Sequence, residues 1–411
     1  MTTIVENQLP LIRSVAPADQ TELASIVKQS FADRIAVYPI GGGTSLHCGL
    51  PARTQGVGLS LEKLNRVIDY PSRDMTITVE AGIRMQDLAN TLAAENQWLP
   101  IDIPQADQAT LGGVVATNTC GPRRFGQGTI RDYVIGISAV DGRGVAFKAG
   151  GRVVKNVAGY DFCKLLVGSF GTLGVITQLT LKTKPRPEAS ALLICDVRDF
   201  AQADALLTAL VTSQTTPVAV ELLTGKAREQ VGSTPSVAQL IVGLEGSKPE
   251  VDWMSQQLTA EWQAQGANEI HAVASEQTAQ AWQRLIGFPA VDASLVLKIG
   301  VRPSAVCQTM QLLTQIDAGC SIQAHAASGI LFARLGLSAL DASRAIIGKL
   351  QPAVARDGGH VAIWSTRTPE EFTRQAVWGS SGADVAWMRS VKNQFDPQGL
   401  LNPGRFVYGN A

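Results

Sequence analysis

The stretch Tyr38-Pro39-Ile40-Gly41-Gly42-Gly43-Thr44-Ser45-Leu46-His47-Cys48-Gly49 runs a hydrophobic strand straight into three consecutive glycines and a hydroxyl pair. A loop of this composition is suited to holding phosphate. Lacking Cβ atoms, Gly41, Gly42 and Gly43 reach positive φ at little cost, so successive backbone N–H groups can converge on an anion, with Thr44 and Ser45 as further donors. Read alone, the same residues also describe an ordinary glycine-rich turn after a strand. The flanking sequence separates the two readings.

Upstream, Leu23, Ala24, Ile26, Val27 and Phe31 recur at near-helical spacing after Pro17, which predicts an amphipathic helix over Asp19 to Phe31. Ile35 to Ile40 is the strand that delivers the loop. Downstream, Met75 to Glu80 alternates like a half-buried strand, Ala81-Gly82 breaks it, and Met85, Leu88, Ala89 and Leu92 mark a helix face. Tyr133 to Val140 and Val145 to Lys148 around Asp141-Gly142 predict a hairpin, and Val175 to Leu181 a further strand before Pro185-Arg186-Pro187. Of the 39 glycines, 21 lie between Gly41 and Gly174, so this third of the chain must approach something closely.

After residue 187, Ala/Leu/Gln-rich helical stretches (200–214, 250–265, 276–286, 339–355) alternate with short strands (191–197, 217–222, 238–244, 294–301, 329–335, 360–364). This predicts an α+β protein whose second sheet, antiparallel or mixed, is covered by helices. Residues 1–187 form the first expected domain, 188–388 a cap or substrate domain, and 389–411 a segment returning to the first.

Composition limits the partners. The 35 Lys+Arg balance 35 Asp+Glu, and no basic run interleaves with aromatics, which disfavours nucleic acid. Cys48, Cys120, Cys163, Cys195, Cys307 and Cys320 are scattered without C-x-x-C or zinc spacing. They suit reduced thiols of a cytoplasmic protein better than a disulfide or iron–sulfur framework. The amino terminus lacks a basic and apolar leader pattern, and no stretch of eighteen uncharged apolar residues follows. A soluble protein is expected, with peripheral membrane association only through partners.

Three further segments share the small-residue, donor-rich character of the loop. One runs from Ala109-Thr110-Leu111-Gly112-Gly113 through Asn118 to Gly121-Pro122-Arg123-Arg124-Phe125-Gly126. A second runs from Lys155-Asn156-Val157-Ala158-Gly159-Tyr160-Asp161 into Gly168-Ser169-Phe170-Gly171-Thr172-Leu173-Gly174-Val175-Ile176-Thr177. The third is Phe395-Asp396-Pro397-Gln398-Gly399-Leu400-Leu401-Asn402-Pro403-Gly404-Arg405-Phe406. In this order the four segments resemble the two-subdomain FAD-binding domain of the vanillyl-alcohol-oxidase type flavoproteins, also called the PCMH fold, over residues 10–185 and the last twenty.

That resemblance implies FAD as cofactor. Ile40 and Gly41 to Ser45 would cradle its pyrophosphate. Thr110, Gly112, Gly113 and Asn118 would line the dinucleotide and the flavin edge. Gly168, Ser169, Gly171, Thr172, Gly174, Val175 and Ile176 would wrap the adenine and ribose, with Asn402 of the tail closing one wall. His47 stands where a serine is usual and Thr44 where a flavin-linking histidine would be expected, so the resemblance implies non-covalent FAD.

Within the superfamily, Gly151-Arg152-Val153-Val154-Lys155-Asn156-Val157-Ala158-Gly159-Tyr160-Asp161, His325-Ala326-Ala327-Ser328-Gly329 and Gly358-Gly359-His360-Val361 are similar to FAD-binding subunits of bacterial glycolate oxidase (glycolate dehydrogenase). The implied reaction is oxidation of a 2-hydroxy acid such as glycolate to the 2-oxo acid glyoxylate. Implied partners are a homologous FAD subunit and an iron–sulfur subunit.

Relatives carry H-G-D-G-N-x-H and H-E-H clusters that hold a divalent metal. Here the first is reduced to His325 and the second is absent, and with four histidines in all no metal is expected. Removing a hydroxyl proton while a hydride leaves requires a base, and the carboxylate requires a cation. His360, His325 and Arg302 are the candidate catalytic residues, with Arg334 and Lys298 also available. The lost cluster leaves two alternatives open: a non-catalytic FAD scaffold in a complex, and a stand-alone alcohol or 2-hydroxy-acid dehydrogenase.

Overall fold

The structure is a computed structural model, and it describes residues 8–151, 160–230, 236–273, 275–290, 292–380, 382 and 384–408. Arg152 to Gly159 of the quoted segments therefore lie outside the described residues. The chain divides into two compact units, one taking residues up to Cys120, Thr129–Arg186 and Ser380 onward, the other Gly121–Gly128 and Pro187–Gly379.

The first unit holds two principal sheets. Three parallel strands stand in the order Leu11–Val15, Gly56–Ser60, Ala36–Ile40. The helix Gln20–Asp33 begins where the Asp19 carboxylate accepts the amides of Thr21 and Glu22 at 2.8 and 2.9 Å, satisfying two orphan donors of the first turn. It buries Leu23 and Val27 beside Val37, Leu59, Val140 and Val175. The second sheet is antiparallel, in the order Val67–Asp69, Thr76–Glu80, Val175–Lys182, Val134–Val140, Ala146–Gly150. Helices Met85–Ala93 and Leu111–Thr117 add Met85, Leu88, Leu92, Leu111, Val114 and Val115 to its core.

The chain end is part of the first unit. After the helix Asp384–Phe395, the buried Asp396 carboxylate accepts the amides of Leu400 and Leu401 at 3.0 and 2.7 Å, closing the turn. Leu401 then bridges Val37 in parallel: Val37 donates to the Leu400 carbonyl at 2.8 Å and Asn402 to the Val37 carbonyl at 3.0 Å. The tail thus pairs with the strand that delivers the glycine loop. Lys392 is buried beneath it, donating to Asp396, to the Thr172 carbonyl at 2.7 Å and to the Leu401 carbonyl at 3.1 Å. Burial holds the Lys392 pKa below its ordinary value, with Asp396 opposing.

The second unit is built on an eight-stranded sheet, antiparallel throughout. Its order is Ile270–Ala272, Ala189–Val197, Ala238–Gly246, Ala219–Thr224, Ser321–His325, Ile330–Leu335, Leu295–Gly300, His360–Thr366. Helix Ser275–Gly287 brings Trp282 and Leu285 onto Leu192, Ile194, Ala219 and Ile241. The architecture is the expected α+β one.

Several elements depart from the sequence reading. The strand Ser321–His325 and the helix Val306–Ile316 were not anticipated. The single helix expected over 339–355 is interrupted by a wide turn, Ile346–Leu350, between Ala339–Ala345 and Gln351–Ala355. Pro352 explains the interruption, because it has no N–H to donate one turn back. Among the described residues no helix is long and apolar enough to cross a membrane.

Candidate functional site

A cleft in the first unit gathers Gly41, Gly42, Gly43, Thr44, Ser45, Thr110, Gly112, Gly113, Gly171, Gly174, Val175, Ile176 and Asn402, all singled out from sequence. The glycine loop lies hard against the segment before helix Leu111–Thr117. A Cβ at Gly41 would overlap the Thr110 hydroxyl, and one at Gly42 the Gln108 carbonyl. Gly43, at φ 78°, then turns the chain back. The outcome is chemical: within the described residues no backbone hydrogen bond uses the amide of Gly42, Gly43, Thr44 or Ser45 as donor. Four adjacent amides without a protein acceptor are what an anion needs.

The remaining expected residues fall into three groups. Ile40 lines a recess on the other side of the loop, with Ser60, Asn65 and Gln108. Asn118, at φ 51°, ends the helix Leu111–Thr117 and sits beside Gly168, whose amide bonds to the Val115 carbonyl at 3.0 Å. Asn118 Oδ1 and Ser169 Oγ are both buried without a partner. Neither residue lines the cleft itself, but orphaned polar atoms at two positions implied to touch FAD, together with the four open amides, fit a dinucleotide that brings its own donors and acceptors.

Thr172 is not among the residues lining the cleft. Its hydroxyl donates to the Ser169 carbonyl at 2.5 Å and meets the Tyr408 hydroxyl, so its side chain serves the tail and not the cleft wall. Gly112 is dictated by packing, since a Cβ there would lie 2.9 Å from Ala81.

The tail contributes more than Asn402, whose side-chain amide donates to the Phe170 carbonyl at 2.8 Å. Arg405 also lines the cleft, and its guanidinium donates to the carbonyls of Leu46, Cys48 at 3.0 Å and Leu50 at 3.4 Å. Burial holds the Arg405 pKa below its usual value. Burial, and then the charge of Arg405, push the His47 imidazole down to about 4, so His47 is neutral at pH 7.

In the second unit the structure supplies His325 with a partner that the sequence reading missed. Glu221, from the middle of the apolar strand Ala219–Thr224, faces it across the sheet. His325 Nδ1 lies 2.7 and 2.9 Å from the two Glu221 oxygens, and Gln323 Nε2 donates to Glu221 at 2.7 Å. A carboxylate only accepts, so Nδ1 donates to Glu221 and Nε2 is the ring nitrogen left facing away from it. That nitrogen is buried without a partner. An acid in an otherwise apolar strand was the available signal.

His360 and Arg302 do not join this pair. Directly opposed residues run His325, Ile330, Gly300, His360 across four strands, so the two histidines share a sheet face about 14 Å apart at the ~4.8 Å strand spacing. The His360 ring lies over Gly300, where a Cβ would displace it. Arg302 is exposed, leading into the turn Pro303–Ala305. Lys298 lies 4.7 Å from the Trp364 ring centroid. The Arg334 guanidinium stacks 3.7 Å from the Phe288 ring centroid, and burial pushes its pKa down to about 10. No group of three or more His, Cys, Asp or Glu side chains converges as a metal site among the described residues.

Comparison with known proteins assigns both units. Residues 13–150 match the FAD binding domain family, and residues 186–301 and 378–406 match the C-terminal domain of FAD linked oxidases. A D-2-hydroxyglutarate dehydrogenase of Xanthomonas citri pv. viticola is 27% identical, over 95% of this chain and 88% of the relative. The glycolate oxidase subunit GlcE of Escherichia coli is 35% identical over 165 residues, 40% of this chain and 47% of the relative. Among solved structures, p-cresol methylhydroxylase with bound substrate shares the fold at a TM-score of 0.73, with 15% identity, covering 97% of this chain and 88% of that one. FAD is accordingly the cofactor of this chain.

Proposed function

We propose that this chain, which belongs to the PCMH-type FAD-linked oxidoreductases acting on CH–OH groups, oxidises a small 2-hydroxy acid to the 2-oxo acid, with His325 as proton acceptor. The reading includes non-covalent FAD, a homologous FAD subunit and an iron–sulfur subunit as onward electron acceptor. Two relatives support it by their names, a 2-hydroxy-acid dehydrogenase and a glycolate oxidase subunit. Glycolate is the simplest substrate of the class.

The observation that carries it is the Glu221–His325 pair with its unpartnered Nε2. Oxidation of a secondary or primary alcohol removes one proton from oxygen and one hydride equivalent from carbon. FAD, when bound, would supply the acceptor for the hydride equivalent. The Nε2 lone pair accepts the hydroxyl proton, and Glu221 stabilises the imidazolium that results. Gln323 holds Glu221 in place, so the ring keeps its orientation through the transfer. The cleft residues would hold the dinucleotide by the amides of Gly42 to Ser45, and Asn118 and Ser169, outside the cleft lining, would be available as further polar contacts.

The test is anaerobic mixing of the purified, FAD-loaded chain with glycolate and longer 2-hydroxy acids, following loss of the oxidised-flavin band. Bleaching is expected for the native chain. His325→Gln should slow it by about 10²–10⁴-fold, the usual worth of a positioned base, without changing FAD content. Equal rates in the native chain and His325→Gln would remove His325 from this role. A second reading, a scaffold subunit whose catalysis resides in a homologous partner, is favoured by the absence of a converging metal cluster among the described residues. No bleaching with any 2-hydroxy acid would select it.

A further inference from the structure

We infer that Arg405 is a positioning residue for the diphosphate of the bound dinucleotide, acting through the Leu46–Leu50 arm of the glycine loop and through its own fixed charge. Within the arm, Leu46 donates to the Gly43 carbonyl at 3.4 Å and Cys48 to the Ser45 carbonyl at 3.1 Å, both bonds local to the loop. Arg405 is the element from outside that gathers three of its carbonyls, and the Leu50 amide returns a bond to the Arg405 carbonyl at 3.0 Å. Carbonyls occupied by a guanidinium present less negative charge to an incoming anion. The open amides of Gly42 to Ser45 then face the anion without competing acceptors.

The position of Arg405 is secured in turn. The Asp396 turn, the Val37–Leu401 bridge and the Asn402 bond to Phe170 fix the chain three residues before it. A planar guanidinium is required to reach acceptors on alternate residues of one arm, and its charge is permanent where neutral His47 contributes none. The ligand class served is a diphosphate ester, whatever the attached ring.

The inference does not depend on the 2-hydroxy-acid reading, because it is tested without substrate. Dissociation constants of FAD and of ADP are measured on apo-protein at low and high salt for the native chain, Arg405→Gln and Arg405→Lys. Arg405→Gln should weaken both ligands about ten- to a hundredfold, the range of a charge-assisted contact, and flatten the salt dependence. Arg405→Lys should keep the native salt dependence while losing affinity, since the charge remains and the fork does not. A loss with unchanged salt dependence in Arg405→Gln would reduce the residue to a structural staple and overturn the inference. If Arg405→Gln does not fold, Arg405→Lys decides: affinities equal to the native chain at every salt concentration would overturn it.

Discussion

His47 should make the apo-protein acid-sensitive. Its imidazole is neutral in the folded state because burial and the adjacent Arg405 push its pKa from 6.5 down to about 4. In the unfolded chain it takes a proton as the pH falls through 6.5, while the folded chain does not until about 4. The unfolded state therefore binds more protons across that window, and stability is lost as the pH falls through it. A 2.5-unit separation at about 1.4 kcal/mol per unit sets a ceiling near 3 kcal/mol, with about 2 kcal/mol already lost at pH 5. The assay is urea unfolding of apo-protein at pH 7.5, 5 and 4, native chain against His47→Gln, fitted for the transition that the substitution shifts. Other titrating groups cancel in the difference. The variant should be spared about 2 kcal/mol of the loss at pH 5, and NMR titration should place the His47 pKa near 4. A difference under about 0.5 kcal/mol would refute the argument. Saturating FAD should raise the His47 pKa, because the diphosphate opposes the charge of Arg405.

Gly42→Ala drives a methyl into the Gln108 carbonyl. Overpacking of about 1–3 kcal/mol is expected, with FAD retained poorly after gel filtration and little change in far-ultraviolet dichroism. Lys392→Met strands the Thr172 and Leu401 carbonyls and leaves Asp396 a buried carboxylate without its cation. A loss of about 3–5 kcal/mol follows, read as a lower Tm and as faster proteolysis of the tail. An unchanged Tm would contradict the burial of that pair.

The cleft was legible because its parts are local. Three adjacent glycines, a strand ahead and hydroxyls behind carry their conformation in neighbouring residues, and 13 of the 18 positions assigned to FAD line one cleft. The side-chain partner of Thr172 was not legible, because a hydroxyl in a glycine-rich run looks the same whether it faces a ligand or a tail that arrives 236 residues later. The catalytic candidates were less legible still. His325 was singled out for its segment, yet its hydrogen-bond partner Glu221 lies 104 residues away and appears in sequence as one acid in an apolar strand.

Length, charge balance, the glycine loop and the alternation of helix and strand were determined by the sequence itself, since each rests on backbone preference or on the period of apolar residues over a few positions. The cofactor class followed from four such local signals in a set order. Strand order and register were decided by the tertiary structure alone. Pairing Ala219–Thr224 with Ser321–His325 sets the Glu221–His325 pair, and separates His360 from it by two intervening strands. Docking the tail on Ala36–Ile40 brings Arg405 to carbonyls 355 to 359 residues earlier. Such contacts are formed by burial and hydrogen-bond closure of the whole chain, and no short window of sequence contains both partners.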